Sequence, residues 1–600
     1  MGADMKSFHS HPDKLLSEHL SGVVEKTRQR TSLKMAEIAA LFHDLGKINP
    51  NFQRKLFGEK NIGYSSHAYL SALAWLCYCQ ANKESLKDLI GIDPLRDPSP
   101  IFGIAAMIAR HHGHLPNLEA DGFFKEKEQK ALREFLEQTS SEDLPISEFL
   151  QEMLEHSSFD IKPSGAVLDQ LIFKFQFGFQ HVIKLITDPL DFFMDTQFGF
   201  ACLIESDKRD AGNNTQFNKK AYGAYIKENF ASRLESFMRE LPRKSDFDWL
   251  RTEMRVQAVE NIRPKLAEGK RVFTLSAPTG AGKTLMLLSL AAEILKHDAD
   301  LSIIYALPFL SITEQTEAIC KNIYRDEPHS VLRIDSKSEN KQIDKIQREL
   351  DANPSDDNLR RLMQEIFSQD TFDHPFIITT FVQLFEALVS NRNSTLLRLP
   401  NFARTIFLLD EIQALPPRLY TFFTAYLAEF CRKFDSYAII STATMPYVGM
   451  PDKEMPDDEN PHRLFKRYVE PYELLNRSFY EYKEFNRYRI TRLEHDDFRV
   501  EALADIIRKQ MKSSLVILNT IDDTKQLYDI LKKDSDISLQ PEFVLLNTHF
   551  TTNDRQKKIE FCKDRLKNNQ RVMLISTQLI EAGVDIDFPV LYRDMCPLPS

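Results

Sequence analysis

The stretch Arg271-Val272-Phe273-Thr274-Leu275-Ser276-Ala277-Pro278-Thr279-Gly280-Ala281-Gly282-Lys283-Thr284 decides the architecture of the larger part of this chain. An apolar run of strand length enters a loop with two glycines, and a helical pattern runs on from Thr284 to Lys296. Strand, glycine loop and helix in that order make an anion cradle. Glycines let backbone amides approach a phosphate, the helix N-terminus adds its positive end, Lys283 reaches the outer phosphates and Thr284 holds Mg²⁺. Thr279, Gly280, Ala281, Gly282, Lys283 and Thr284 are therefore read as a nucleotide site for ATP and Mg²⁺. Ala277 stands where the general pattern has glycine.

Around this loop, short apolar runs alternate with helical stretches, the pattern of buried parallel strands in α/β architecture. Strands are expected at Arg271–Ser276, Leu301–Leu307, Pro375–Thr380, Thr405–Leu409 and Tyr437–Ser441. Asp410 and Glu411 close the fourth of these. An acid at a strand end beside the phosphate loop can hold Mg²⁺, and the next can position and deprotonate the attacking water. Ser441-Thr442-Ala443-Thr444 ends the fifth, where nucleotide state can be passed to a second ligand. A second α/β set is expected from strands at Ser514–Asn519, Phe543–Asn547, Val572–Thr577 and Val590–Tyr592, with Arg593 as a structural residue at a strand end. The charged segment Ser336–Gln364 reads as a solvated helical insertion, and the acidic, proline-rich Met450–His462 as a linker or surface loop.

The N-terminal part is helical by its apolar spacing. Helices are expected over Asp13–Arg30 and Leu33–Asp44, and a third with Ser65 as N-cap. These stretches carry an unusual set of nitrogen and oxygen donors: His19, His43, Asp44, His67, His111, His112 and Asp207. Such a set suits two divalent transition metals, Mn²⁺, Fe²⁺, Co²⁺, Ni²⁺ or Zn²⁺, able to activate water and stabilise the leaving oxygen of a phosphodiester. Asp210 lies close enough to Asp207 to compete for its place. Lys47 shares a helix face with His43 and Asp44 and can offset charge on a bound phosphate. His9, His11 and His114 are read as surface residues.

The 600 residues suit three or four domains at about 150 residues each. Seven cysteines without a CxxC pair argue against a zinc ribbon or disulfide framework, and Cys77 and Cys79 read as core. No signal sequence or membrane-spanning run is seen, so a reducing cytoplasm fits and no membrane partner is expected. A net charge of −10 neither supports nor excludes nucleic acid.

Gln257, Ala277–Thr284, Ala306–Pro308, Thr379-Thr380, Asp410–Gln413 and Ser441–Thr444, with Leu518–Thr520, Ser576–Gln578 and Glu581–Asp585, resemble the motifs of superfamily 2 helicases. That resemblance implies two RecA-like domains. It implies Gln257 as adenine reader, catalytic Glu411, Asp585 as an ATP contact, and Pro308, Thr380, Thr444, Asn519 and Thr577 on nucleic acid. The chain reaches Ser600 where the family's arginine-finger motif should begin. The second lobe is therefore expected to be truncated, with ATP binding kept and hydrolysis in doubt. The histidine and aspartate set resembles the HD phosphohydrolase superfamily, which makes Asp44 and Lys47 catalytic.

Together the two blocks resemble the helicase–nuclease of type I CRISPR–Cas systems. The resemblance rests on Leu41–Lys47, Ala109–Gly113, Tyr305–Pro308, Leu409–Gln413 and Ile586–Pro589. It implies an all-α HD-type metal nuclease domain over 1–220, a first RecA-like domain over 245–450, a linker over 451–480 and a second RecA-like domain over 481–600. The implied partners are single-stranded DNA, reeled 3′ to 5′, and a guide-RNA surveillance complex of the Cascade type. The other readings left open are an HD phosphohydrolase acting on nucleotides and a non-catalytic nucleic-acid clamp.

Overall fold

Helices Leu16–Arg30, Lys34–Phe42, Ala68–Ala81, Ser99–Arg110 and Pro189–Ala211 meet in one N-terminal core because each presents an apolar face inward. Ala68–Ala81 is apolar on all sides and sits at the centre, with nearly every residue buried. Trp75 within it is 0% exposed, edge-on to Phe42 at 5.3 Å, and its Nε1 donates to the Ile101 carbonyl at 3.0 Å. The computed structural model describes residues 8–595 apart from 61–62, 84–85, 92, 94–96, 116, 118–125, 141–142, 155–160, 171–185, 187, 213–218, 243–246, 325–329, 337–340, 445–464, 466, 468, 486–488, 493–498, 510, 534–540 and 581–585.

Three details of the helical region differ from expectation. The first helix starts at Leu16, not Asp13, because strands β1 (His9–His11) and β2 (Lys14–Leu15) form a hairpin with Pro12 and Asp13 in its turn. The second helix ends at Phe42, and the chain tightens into a 3₁₀ turn over Leu45–Ile48, which turns Asp44 inward. The third starts at Ala68 after His67, so Ser65 is not its cap.

The first α/β lobe is a parallel sheet of β3 (Val272–Ser276), β4 (Ser302–Leu307), β5 (Leu332–Ile334), β6 (Phe376–Thr380), β7 (Thr405–Asp410), β8 (Tyr437–Thr442) and β9 (Tyr472–Glu473). Their order is β5-β6-β4-β7-β8-β3-β9. Side chains alternate across it: Ile303, Tyr305 and Leu307 join one core, whereas Ile304 and Ala306 join the core shared with the N-terminal helices. Residues 472–475, expected within the linker, instead add β9 to this sheet and bury Leu474 and Leu475 against it. The charged insertion forms helices Lys341–Ala352 and Asp356–Thr371. The acidic run Met450–His462 lies outside the described residues. The second lobe is a parallel sheet in the order β11-β12-β10-β13, from β10 (Ser514–Ile517), β11 (Glu542–Leu546), β12 (Val572–Ser576) and β13 (Val590–Arg593).

Helical region and first lobe meet through a packed face. Phe198 stacks on Phe434 with ring centroids 4.1 Å apart, and Arg209 Nη2 donates to Asp373 Oδ2 at 3.0 Å.

Removing the central aromatic should be costly: Trp75→Ala is expected to destabilise the helical region by about 3–5 kcal/mol. A lower midpoint in urea, followed by circular dichroism, checks it.

Candidate metal and nucleotide sites

Asp44 is brought to the histidines by a turn that only glycine allows. A Cβ on Gly46 would lie 2.3 Å from the His67 carbonyl, so the glycine lets the 3₁₀ turn close against His67. Asp44 Oδ1 then lies 3.0 Å from His67 Nε2 and 3.4 Å from His111 Nε2. Its Oδ2 lies 3.2 Å from His19 Nε2, 3.6 Å from His43 Nε2 and 2.6 Å from Lys47 Nζ. Asp207 Oδ1 completes this side, 3.3 Å from His19 Nε2 and 3.6 Å from His43 Nε2. His112 Nε2 sits 2.9 Å from His67 Nε2 on the other. The donors form two sets, Asp44/His67/His111/His112 and His19/His43/Asp44/Asp207, each with its ligand atoms within 4.8 Å of one another. Asp44 belongs to both.

The rings are aimed by what holds their far nitrogens. His43 Nδ1 bonds the Ala40 carbonyl and His111 Nδ1 the Ile108 carbonyl, each at 2.7 Å, while His19 Nδ1 bonds Asp210 Oδ2 at 2.6 Å. With Nδ1 donating, each Nε2 presents a lone pair. The Nε2 atoms of His19, His43 and His111, and Asp44 Oδ1, are buried without a hydrogen-bond partner among the described residues. Convergent, unpartnered nitrogen and carboxylate donors fit a pair of divalent transition metals.

The electrostatics agree. Burial opposes charge on the His19 ring, but the carboxylates of Asp207, Asp210 and Asp44 around it outweigh burial and raise its pKa to about 10. Burial also opposes ionisation of Asp44 and Asp207. Even so, His43, His67 and Lys47 hold the first, and His19 and His43 the second, well below the usual carboxylate range. Desolvation, then the charges of His111 and His67, push His112 down to about 3. A pocket that keeps its carboxylates ionised and draws a proton onto His19 is built for positive charge.

Spacing left Asp207 and Asp210 in competition, and the structure separates them. Asp207 faces the donors, whereas Asp210 stands behind His19 and is held by Lys14 Nζ at 2.6 Å and Lys26 Nζ at 2.7 Å. Lys47, read as able to offset charge on a bound phosphate, is turned inward. The hairpin covers it, and its ammonium is engaged by Asp44 and, at 3.3 Å, by the Ser10 carbonyl. His11, expected at the surface, is half-buried, with its ring 5.3 Å from that of His19.

At the nucleotide loop, Gly280 and Gly282 take φ of +82° and +84°, backbone that favours glycine. No atom lies within 4 Å of a Cβ on Gly282, so conformation rather than space requires it. Lys283, at the start of helix Lys283–His297, points its Nζ to Glu411 Oε1 at 3.2 Å. Glu411 itself has a φ of +61°, strained for a side-chain-bearing residue and typical of a functional position. Gln413 donates to Glu411 and accepts from Thr442, linking the acid to the end of β8. Asp410 is buried, its Oδ2 accepting from Tyr305 Oη at 3.0 Å; burial, then the neighbouring Glu411, raises its pKa. The sequence reading placed Tyr305 in a strand and a motif but gave it no partner, since an apolar strand gives no sign that one hydroxyl meets an acid.

Gln257 lies on helix Asp248–Ala267, its Oε1 buried and unpartnered among the described residues. Arg251 joins that helix to the loop, donating to the Gly280 carbonyl at 2.9 Å. Pro308, Thr380, Thr444, Asn519 and Thr577 all sit at or just past the carboxyl ends of parallel strands β4, β6, β8, β10 and β12, the edge where such sheets bind ligands. Asp585 lies outside the described residues.

Residues 251–445 match the family described as "Type III restriction enzyme, res subunit", and residues 510–600 match "CRISPR-associated nuclease/helicase Cas3, C-terminal". A CRISPR-associated nuclease/helicase Cas3 of Haloferax volcanii is 26% identical over 94% of this chain and 69% of its own length. A putative one from Methanocaldococcus jannaschii is 24% identical over 92% and 72%. The fold matches the crystal structure of T. fusca Cas3 with ATP at a TM-score of 0.56, with 16% identity over 100% of this chain and 72% of that one. A chain of a "CRISPR RNA-guided surveillance complex, pre-nicking" matches at 0.53, with 14% identity over 100% and 70%.

Because Asp210 fixes the His19 ring, Asp210→Asn is expected to weaken Mn²⁺ binding about 10–100-fold. Titration calorimetry reads this directly, and an unchanged affinity removes Asp210 from the site.

Proposed function

This chain belongs to the CRISPR-associated Cas3 nuclease/helicase family, and from that premise we propose a division of labour between its parts. The helical region, within 1–220, is an HD-type two-metal phosphodiesterase that cuts single-stranded DNA. The lobes, within 245–450 and 481–600, are an ATP-driven translocase that delivers the strand to it. The observation that carries this reading is Asp44, whose two oxygens serve two separate donor sets.

His67, His111, His112 and Asp44 would hold one metal, and His19, His43, Asp207 and Asp44 the other. Bound there, Mn²⁺, Ni²⁺, Co²⁺ or Fe²⁺ supplies Lewis acidity and lowers the pKa of water. The chain's own residues do the rest. The carbonyls of Ala40 and Ile108, with Asp210, fix the rings, and Lys47 keeps Asp44 ionised from within. The pocket lies among helices and under a hairpin, which suits a single strand better than a duplex.

In the motor, the loop from Thr279 to Thr284 cradles the ATP phosphates, Gln257 reads adenine and Asp410 holds Mg²⁺ with Thr284. Glu411 takes the proton of the attacking water. The bonds from Glu411 through Gln413 to Thr442 connect that acid to Thr444, on the proposed DNA edge with Pro308, Thr380, Asn519 and Thr577. Asp585 is proposed as an ATP contact on the helicase resemblance alone. The surveillance complex named for one structural neighbour is the proposed partner that supplies the opened strand. No helix among the described residues is long and apolar enough to cross a membrane; the proposed compartment is the cytoplasm, and the proposed role there is degradation of target DNA in type I CRISPR defence.

The test is circular single-stranded DNA incubated without ATP in Mn²⁺, Ni²⁺, Mg²⁺ or chelator. Cleavage should require metal and fall at least about 100-fold in Asp44→Ala, as loss of metal-activated water demands. Hydrolysis of free nucleotides in place of DNA would turn the reading to a nucleotide phosphohydrolase. Glu411→Gln is expected to keep ATP binding while DNA-stimulated turnover falls about 10²–10⁴-fold. Equal ATPase rates in the two proteins would remove Glu411 as the base.

A further inference from the structure

We infer that Asn393, a residue of the first α/β lobe, positions His111 in the histidine–aspartate cluster, so that one set of donors is assembled across two domains. The inference rests on the metal-site reading above. Asn393 Nδ2 donates to the His111 backbone carbonyl at 2.8 Å. His111 follows helix Ser99–Arg110, and its ring is fixed from its own side by the Ile108 carbonyl. Its main chain just beyond that helix has no ladder of its own, and the lobe supplies one. Leu115 N donates to the Asn391 carbonyl at 3.1 Å, Asn391 Nδ2 donates to the Leu115 carbonyl at 3.0 Å, and His114 bridges Arg392 in antiparallel fashion. The segment carrying His111 and His112 is thus clasped as a short strand pair by residues 391–393.

The chain that makes this clasp has a second anchor. Residues 373–393 start at Asp373, which accepts from Arg209, and pass through β6 and helix Phe381–Val389 to the clasp. Arg209 lies two residues beyond Asp207 on helix Pro189–Ala211, and Arg209 and Asp373 are both 2% exposed at their side chains. The same helix reaches the segment again where Gln197 Nε2 donates to the Ser390 carbonyl at 2.7 Å. One strand–helix unit of the lobe therefore holds the carrier of Asp207 by one end and the carrier of His111 by the other. These residues belong to different donor sets that meet at Asp44. Thr380, on the proposed DNA edge, lies midway along the unit. Among the hydrogen bonds of the lobe's described residues, the Asn393 bond is the one made to a metal-donor residue itself. Its other amide atom, Oδ1, is buried without a partner among the described residues, so burial of this side chain is offset only through His111.

The experiment is calorimetric titration of Mn²⁺ into the full chain, comparing wild type with Asn393→Asp, which fills the same volume but cannot donate to His111. Asn391→Ala, which loosens the same clasp at its bond to Leu115, a residue outside the metal-donor set, is the reference for a purely structural effect, and thermal melts report folding. The expected result is two Mn²⁺ sites in wild type, with one weakened about 10–100-fold in Asn393→Asp and both kept within threefold in Asn391→Ala. Wild-type affinities in Asn393→Asp overturn the inference, as do equal losses in the two variants, which would make the clasp a stabiliser and not a positioning device. Should Asn393→Asp fail to fold, Asn393→Ser is read by the same criteria. No Mn²⁺ binding by folded wild type would sink the metal-site reading and this inference with it, an outcome distinct from a loss confined to the variants.

Discussion

A single buried carboxylate organises the N-terminal half of this protein. Asp44 is 1% exposed, and an ion so removed from water persists only when paired on several sides. The pairing comes from His19 on one helix, His43 at the end of the next, Lys47 in the turn that follows, His67 at the foot of the central helix and His111 at the end of another. Each of those segments must bring a side-chain nitrogen within 3.6 Å of one carboxylate. Hence the glycine at position 46, the all-apolar helix Ala68–Ala81 and the outer support of His19 by Asp210. The helical core has the mundane task of burying apolar surface, and its packing also sets the distances at Asp44.

The two α/β lobes follow a different constraint. In a parallel sheet every strand ends on the same edge, so the phosphate loop after β3, Asp410 after β7 and Thr442 at the end of β8 become neighbours without further specification. A short polar relay then links the loop to the end of β8. Lys283 meets Glu411, Gln413 bonds Glu411, and Thr442 bonds Gln413. Glu411 is held in left-handed backbone at the middle of that relay, beside Lys283 of the glycine loop.

Between these systems lies an interface that is both apolar and ionic. Residues of one sheet face share a core with the N-terminal helices, and Arg30, Glu205, Arg209 and Asp373 form a buried charged network at the boundary. Such a network contributes little net stability over an apolar replacement but strongly penalises misalignment, because breaking it strands a charge. Its value here is registration. Arg209 lies on the helix that carries Asp207, so the position of the lobe and the position of a metal-site donor are not independent.

Sequence alone determined whatever depends on local pattern. The continuous apolar strand runs, the glycine loop and the acids at β7 were legible because each is a contiguous stretch whose chemistry needs that order. The seven donors were legible as residue types. Whether they met, and which oxygen faced which nitrogen, was not. Asp207 and Asp210 are three apart on one helix, and only the direction of the two nitrogens of His19 assigns one to the cluster and the other behind it. His11 was misplaced because a hairpin packed over the pocket decides its exposure, and residues 472–475 because strand pairing with β3 is made across the fold. Asn393 carries no signal at all in sequence, since its role is a hydrogen bond to a carbonyl far away along the chain. Periodicity records what a segment buries. Only the tertiary structure records what it is buried against.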